Sequence, residues 1–158
     1  MKVYSNRFGT LDVTEESLVI FPAGLVGFPS HHRFVVLDVE NTSEYQWLQC
    51  ADEPSLAFVL VDIQSLDTDC QIEIPDDSLH ELDVQTTDTL SLLAVVTIPA
   101  DAPERASANL RAPIIVNLRT RKGKQLILHE SMPIRYPLIP ESAQMSRSPT
   151  ATTEPASV

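Results

Sequence analysis

Apolar and polar residues alternate along this chain in short runs, broken by Pro, Gly and clusters of turn-forming residues. Lys2-Val3-Tyr4 and Thr10-Leu11-Asp12-Val13 flank a turn near Phe8-Gly9 and are expected to pair. Leu18-Val19-Ile20-Phe21 is stopped by Pro22, and Arg33-Phe34-Val35-Val36-Leu37-Asp38 follows. Trp47-Leu48-Gln49-Cys50 and Ala57-Phe58-Val59-Leu60-Val61 lie on either side of Ala51-Asp52-Glu53-Pro54-Ser55, which predicts a hairpin. Leu90 to Ile98 is apolar on both alternating sets, so it reads as a central strand covered on both faces. Ile114-Ile115-Val116-Asn117-Leu118 and Gln125-Leu126-Ile127-Leu128 flank Arg121-Lys122-Gly123-Lys124, a hairpin in which Gly123 is expected to supply the positive φ.

One segment departs from period two. In Pro75-Asp76-Asp77-Ser78-Leu79-His80-Glu81-Leu82, Leu79 and Leu82 share a helical face and acids occupy the first turn, where they suit the free amides. A short helix near 76–82 is expected. Many short strands with one helix imply a mainly β protein: a compact single-domain antiparallel β-barrel or sandwich over residues 1–141. Residues 142–158 are rich in Ser, Thr, Pro and Ala with almost nothing to bury, so a disordered C-terminal tail is expected there.

Charge sharpens the picture. Between Phe34 and Glu104 there are sixteen Asp and Glu and no Lys or Arg, while residues 105–158 carry eight bases against three acids. The net charge is −11. A one-signed surface repels nucleic acid and anionic membrane and attracts basic proteins. The N-terminus has no apolar signal region, and Leu90–Ile98 is under half of the roughly 20 residues needed to span a bilayer. A cytoplasmic protein, monomeric when free, is expected. Cys50 and Cys70 stand in no metal-ligand spacing and read as small buried hydrophobes.

Candidate chemistry is sparse. Gly9, Gly24, Gly27 and Gly123 form neither a dinucleotide fingerprint nor a P-loop, and no nucleophile elbow is present. His31 and His32 are adjacent with no third ligand nearby, and His80 and His129 have no catalytic partner in sequence. The carboxylates Asp76 and Asp77 are better explained by helix start and charge than by acid–base work. No catalytic, cofactor-binding or metal site is therefore expected. The basic tract Arg119-Thr120-Arg121-Lys122-Gly123-Lys124 reads as a solvated hairpin tip, with contact to acidic groups or to RNA as alternatives.

The Gly and Pro positions carry a more specific signal. Phe21-Pro22-Ala23-Gly24-Leu25-Val26-Gly27-Phe28 resembles the signature of the FliW family, the bacterial flagellar assembly factors. Arg7-Phe8-Gly9, Arg33-Phe34, Trp47-Leu48-Gln49 with Leu56-Ala57-Phe58, Asn109-Leu110-Arg111-Ala112-Pro113-Ile114-Ile115-Val116-Asn117, Gly123–Leu128 and Tyr136-Pro137-Leu138 fall in line with that family in order. The likeness spans roughly residues 3–139. It departs after Val61-Asp62, where Ile63 stands in place of an expected Pro. Most of these residues read as determinants of fold. Pro22, Gly24 and Gly27 set backbone geometry, Phe34, Trp47 and Phe58 fill a core, and Asn109, Pro113 and Asn117 lock a loop into a strand.

The resemblance implies a regulator without enzymatic activity. It implies partners too: flagellin, and CsrA, the basic RNA-binding translational repressor whose block on flagellin synthesis is relieved on binding. The charge pattern fits the second partner, and Asp76, Asp77, Glu81 and Asp83 are the expected acidic contact patch. A small ligand- or flavin-binding β-barrel enzyme is the alternative, and direct RNA binding through Arg119–Lys124 a third reading.

Overall fold

The alternation closes into a barrel. The computed structural model describes residues 1–42, 44–66, 72–129 and 131–139. In chain order the strands are β1 (Lys2–Ser5), β2 (Gly9–Asp12), β3 (Leu18–Ile20), β4 (Arg33–Asp38), β5 (Tyr45–Cys50), β6 (Ala57–Asp62), β7 (Leu90–Thr97), β8 (Ser107–Ala108), β9 (Ile114–Asn117), β10 (Lys122–Gln125) and β11 (Tyr136–Pro137). The helix α1 (Asp76–Glu81) lies between β6 and β7. Strands pair in the order β7-β6-β5-β4-β3-β10-β9, and β9 returns to β7, so seven strands make a closed ring. Every ring pairing is antiparallel except β10 with β3, a parallel contact one position long, Lys122 opposite Ile20. Closure hides edges that an open sheet would expose.

Inside the ring, alternate residues meet: Val19 and Phe21, Phe34, Leu48 and Cys50, Leu60, Leu93, and Ile114 with Val116. Phe21 and Phe34 pack edge to face with centroids 5.4 Å apart. The outward residues are covered in three places. The β1–β2 hairpin lays Val3 on Leu18 and Val35. The helix brings Leu82 onto Ile115 and Leu126. Residues of the 106–138 stretch, among them Leu110 and Tyr136, cover Val61, Ala94 and Val96. Central β7 thus has Leu93 and Val95 inside and Ala94 and Val96 under an outer layer, as its doubly apolar sequence requires.

The expected hairpins β1–β2 and β5–β6 form, and β4 spans the expected residues. Three details differ from the sequence reading. The β9–β10 turn occupies residues 118–121, and the residue with positive φ is Arg121 (φ 58°). Gly123 instead sits within β10 opposite Val116, where a Cβ would lie 2.5 Å from the Phe21 ring. Its glycine is required by close packing and not by a turn. Second, α1 begins after Pro75, and neither Asp76 nor Asp77 makes a side-chain cap. Third, Trp47 does not fill the core: it alternates with inward Leu48 and lies half-buried on the outer face of β5. Cys50 is fully buried and free. Cys70, most of the irregular stretch before it, and the tail expected from 142 onward lie outside the described residues.

Candidate interaction surfaces

Strand register sets where the acids gather. Asp38 lies opposite Gln46, Tyr45 opposite Val61, and Asp62 accepts the next pairing from Leu93, so the β4–β5 connection and the end of β6 share one mouth of the barrel. Asp38, Glu40, Glu44 and Asp62 collect there, and the Asp62 N–H donates to Glu44 O at 2.8 Å. Asp62 also accepts from Gln64 N–H through its carboxylate, capping a turn of 3-10 helix. Among the described residues no ion pair involves Asp38, Glu40, Asp62, Asp76 or Asp77.

The expected patch on α1 divides in two. Asp76 and Asp77 are exposed, whereas Glu81 pairs with Lys124 and Asp83 with Lys122. The basic hairpin tip therefore contacts acidic groups of its own chain, the second of its expected readings. Asp83 has φ 53°, and the Lys122 ammonium holds its carboxyl below the usual range. Arg119 reaches across to Asp88 at 2.7 Å and to the Asp83 carbonyl at 2.7 Å. Asp88 is almost covered, its side chain 2% exposed. It also accepts from Gln85 N–H and from Asn117 Nδ2, and these bonds, that from Arg119 foremost, lower its pKa to about 2. Fully buried Asn117 donates to Leu82 O as well and accepts from Arg119 N–H. One amide thus bolts the end of α1 to the barrel.

Other signature residues hold backbone. Gly24 has φ 70°, and a Cβ there would lie 2.6 Å from Phe28 O. Leu25 and Phe28 bridge across this turn, with Gly27 (φ 85°) between them. Phe28 packs edge to face on half-buried Phe58, and exposed Pro22 ends the preceding strand. Asn109 Oδ1 accepts from Arg111 N–H and Ala112 N–H, and buried Pro113 accepts from Leu126 N–H. The His31-His32 doublet is local structure too. His32 Nδ1–H donates to Phe21 O, and the His31 ring meets Phe28 edge on. Among the described residues no group of three His, Cys, Asp or Glu is arranged to hold a metal.

Outward-facing Trp47 builds a second surface. The Phe8 ring meets it edge on at 5.6 Å, and the Arg7 guanidinium stacks 4.4 Å from its centroid. Arg7 and Trp47, with Asn6, Gln49, Pro54, Ser55 and Ala57, line a shallow depression of about 450 Å³. Beneath it, Gln49 is fully buried. Its Nε2 lies 3.1–3.4 Å from the carbonyls of Cys50, Glu53, Pro54 and Leu56, and its Oε1 accepts from Ser5 Oγ at 2.8 Å. Ser5 Oγ in turn accepts from Arg7 N–H and Phe8 N–H. In the sequence Gln49 stands out only as part of the Trp47-Leu48-Gln49 family stretch, with no role of its own. Its signal was parity: in Trp47-Leu48-Gln49-Cys50 an inward Leu48 and Cys50 force Trp47 and Gln49 outward together.

These residues sit in a chain whose likeness to known proteins runs almost end to end. The family model described as FliW protein matches residues 2–138. The chain belongs to the FliW family. Its relatives include the flagellar assembly factor FliW of Magnetococcus marinus, 33% identical over 142 residues, covering 90% of this chain and 87% of the relative. That of Natranaerobius thermophilus is 32% identical over 148 residues, covering 93% and 98%. A crystal structure of the flagellar assembly factor FliW superposes with a TM-score of 0.80 at 31% identity, covering 89% of this chain and 99% of the other. FliW relatives are thus named assembly factors, and the mainly β barrel with one helix is the FliW fold. No helix among the described residues is long and apolar enough to cross a membrane.

Proposed function

We propose that this FliW-family protein acts in the cytoplasm as a regulator without enzymatic activity. It binds flagellin, and it binds the RNA-binding repressor CsrA so as to relieve repression of flagellin translation. The observation that carries the reading is the segregated charge. Asp38, Glu40 and Glu44 at the barrel mouth and Asp76 and Asp77 on α1 are exposed, in a run of sequence without a single base. An RNA-binding repressor presents Lys and Arg to phosphate, and the same groups meet this surface favourably. Glu81 and Asp83 contribute less to the attraction, because each already holds a lysine of β10. Flagellin, less dependent on charge, calls for an apolar surface, and the depression lined by Trp47 and Arg7 has the residue types that dominate protein interfaces.

The test is the rate at which purified protein and CsrA associate as salt rises. Between about 50 mM and 500 mM salt the association rate should fall about tenfold or more. Absence of a complex, or a rate indifferent to salt, would refute the proposal. Retention of a labelled transcript by the protein alone would favour the RNA reading instead.

A further inference from the structure

The barrel ladder is unfinished at one place, away from the acidic mouth. On one side β10 pairs with β9, and the pairing runs on beyond the strand. Leu126 N–H donates to Pro113 O at 2.8 Å and Leu128 N–H to Arg111 O at 2.7 Å. On its other side β10 touches β3 only at Lys122. In an antiparallel ladder successive residues aim their N–H and C=O groups to opposite sides. Those of Gln125 and Ile127 therefore point away from β9, and no described residue accepts a hydrogen bond from the Ile127 N–H, which lies beyond the strand. Ile127 is 73% exposed, more than any other large apolar residue described. Close by, Val26 is 54% exposed, and its N–H donates to Gln125 Oε1 at 2.8 Å.

The two faces of this edge differ. Leu126 and Leu128 face the cluster around Leu82, and Lys124 faces Glu81. Asp77 precedes Glu81 by one turn and shares its side of α1. Two carboxylates thus oversee one ammonium on the outer face, while the other face presents Gln125, Ile127 and Val26 without charge.

We propose that the Gln125–Leu128 edge is a docking site for an extended segment of a partner protein, which adds to β10 as a further strand. Its apolar side chains lie against Ile127 and Val26, and its alternate positions carry Lys or Arg toward Asp77 and Glu81. Backbone bonds to Gln125 and Ile127 supply affinity and the alternation supplies selectivity. A second copy of this chain is the poorer occupant. Two-fold pairing of equal edges would bring Asp77 and Glu81 against the same carboxylates, on a molecule of net charge −11.

The probe is a capped peptide of about six residues, alternating Val and Lys, titrated into the full ¹⁵N-labelled chain. Amide shifts should centre on residues 125–128, and exchange of the Ile127 amide should slow about tenfold or more at saturation. Ile127→Pro removes a donor that has no internal acceptor, so it should weaken binding about tenfold. A peptide N-methylated at alternate residues should bind equally poorly, and it needs no variant of the protein to fold. Equal binding of the methylated peptide, or shifts centred on Asp38, Glu40 and Glu44 with Ile127 exchange unchanged, would overturn the proposal. Concentration-dependent shifts at 125–128 without peptide would overturn the choice of occupant in favour of a second copy.

Discussion

Gly24 and Gly27 stand three residues apart in one turn, both at positive φ, yet they answer to different constraints. A Cβ at Gly27 meets nothing within 4 Å, so Gly27→Ala incurs only the left-handed conformation, about 1 kcal/mol. At Gly24 the Cβ would meet Phe28 O and Pro29 backbone at 2.6–2.7 Å, so the turn itself must shift. Gly24→Ala should lose about 3 kcal/mol, and calorimetry should show its Tm falling about three times as far. Gln49 argues from polarity. Gln49→Leu keeps the volume but strips the donor from a buried cluster of carbonyls, and should cost about 2–4 kcal/mol in denaturant unfolding. Asp88 argues from charge. Its folded pKa near 2 lies below the ordinary carboxylate value of about 4, so its contribution is complete above that value and drains as pH falls toward 2. Urea melts between pH 6 and 2 should show a loss of stability in that window that Asp88→Asn lacks.

At the scale of elements, the strands were legible and the contacts between distant elements were not. Val, Ile and Leu in period two located β4, β5, β6 and β7 because a strand's inward and outward residues are fixed by parity alone. Parity also held the correct place of Trp47, but aromatic size argued for the core, and size lost to register. Gly123 misled for a different reason. Lys122-Gly123-Lys124 looks like a turn from either side, and only the Phe21 ring, supplied from a hundred residues away, explains the glycine. The pairing of α1 with β10 was equally invisible, since Glu81 meets Lys124 and Asp83 meets Lys122 across forty or so residues. Asn117 makes that docking testable. Asn117→Ala deletes bonds to Leu82 O, to Asp88 and from Arg119 N–H, and should cost about 2–3 kcal/mol. Hydrogen exchange should rise first in α1 and the 118–121 turn, and uniform acceleration across the barrel would show that the helix is not held by this amide.

At the scale of the molecule, the question is whether the partner reads individual carboxylates or the field they sum to. Surface ion pairs are each worth about 0–1 kcal/mol, so no single acid can decide affinity. Steering depends on total charge within roughly a Debye length, about 10 Å at 0.1 M salt, and is nearly blind to which residue bears it. Reversing Asp38 and Glu40 to Lys at the barrel mouth should then slow association with CsrA, the partner we propose, about as much as reversing Asp76 and Asp77 to Lys on α1. In both variants dissociation should be nearly unchanged, because rim charges act on encounter and packed centres act on residence. Stopped-flow association read beside surface-plasmon dissociation separates the two. If one pair alone slows association, the acids of that pair lie at the contact. If dissociation quickens in step, they are packed against the partner, and the surface works by recognition and not by attraction at a distance.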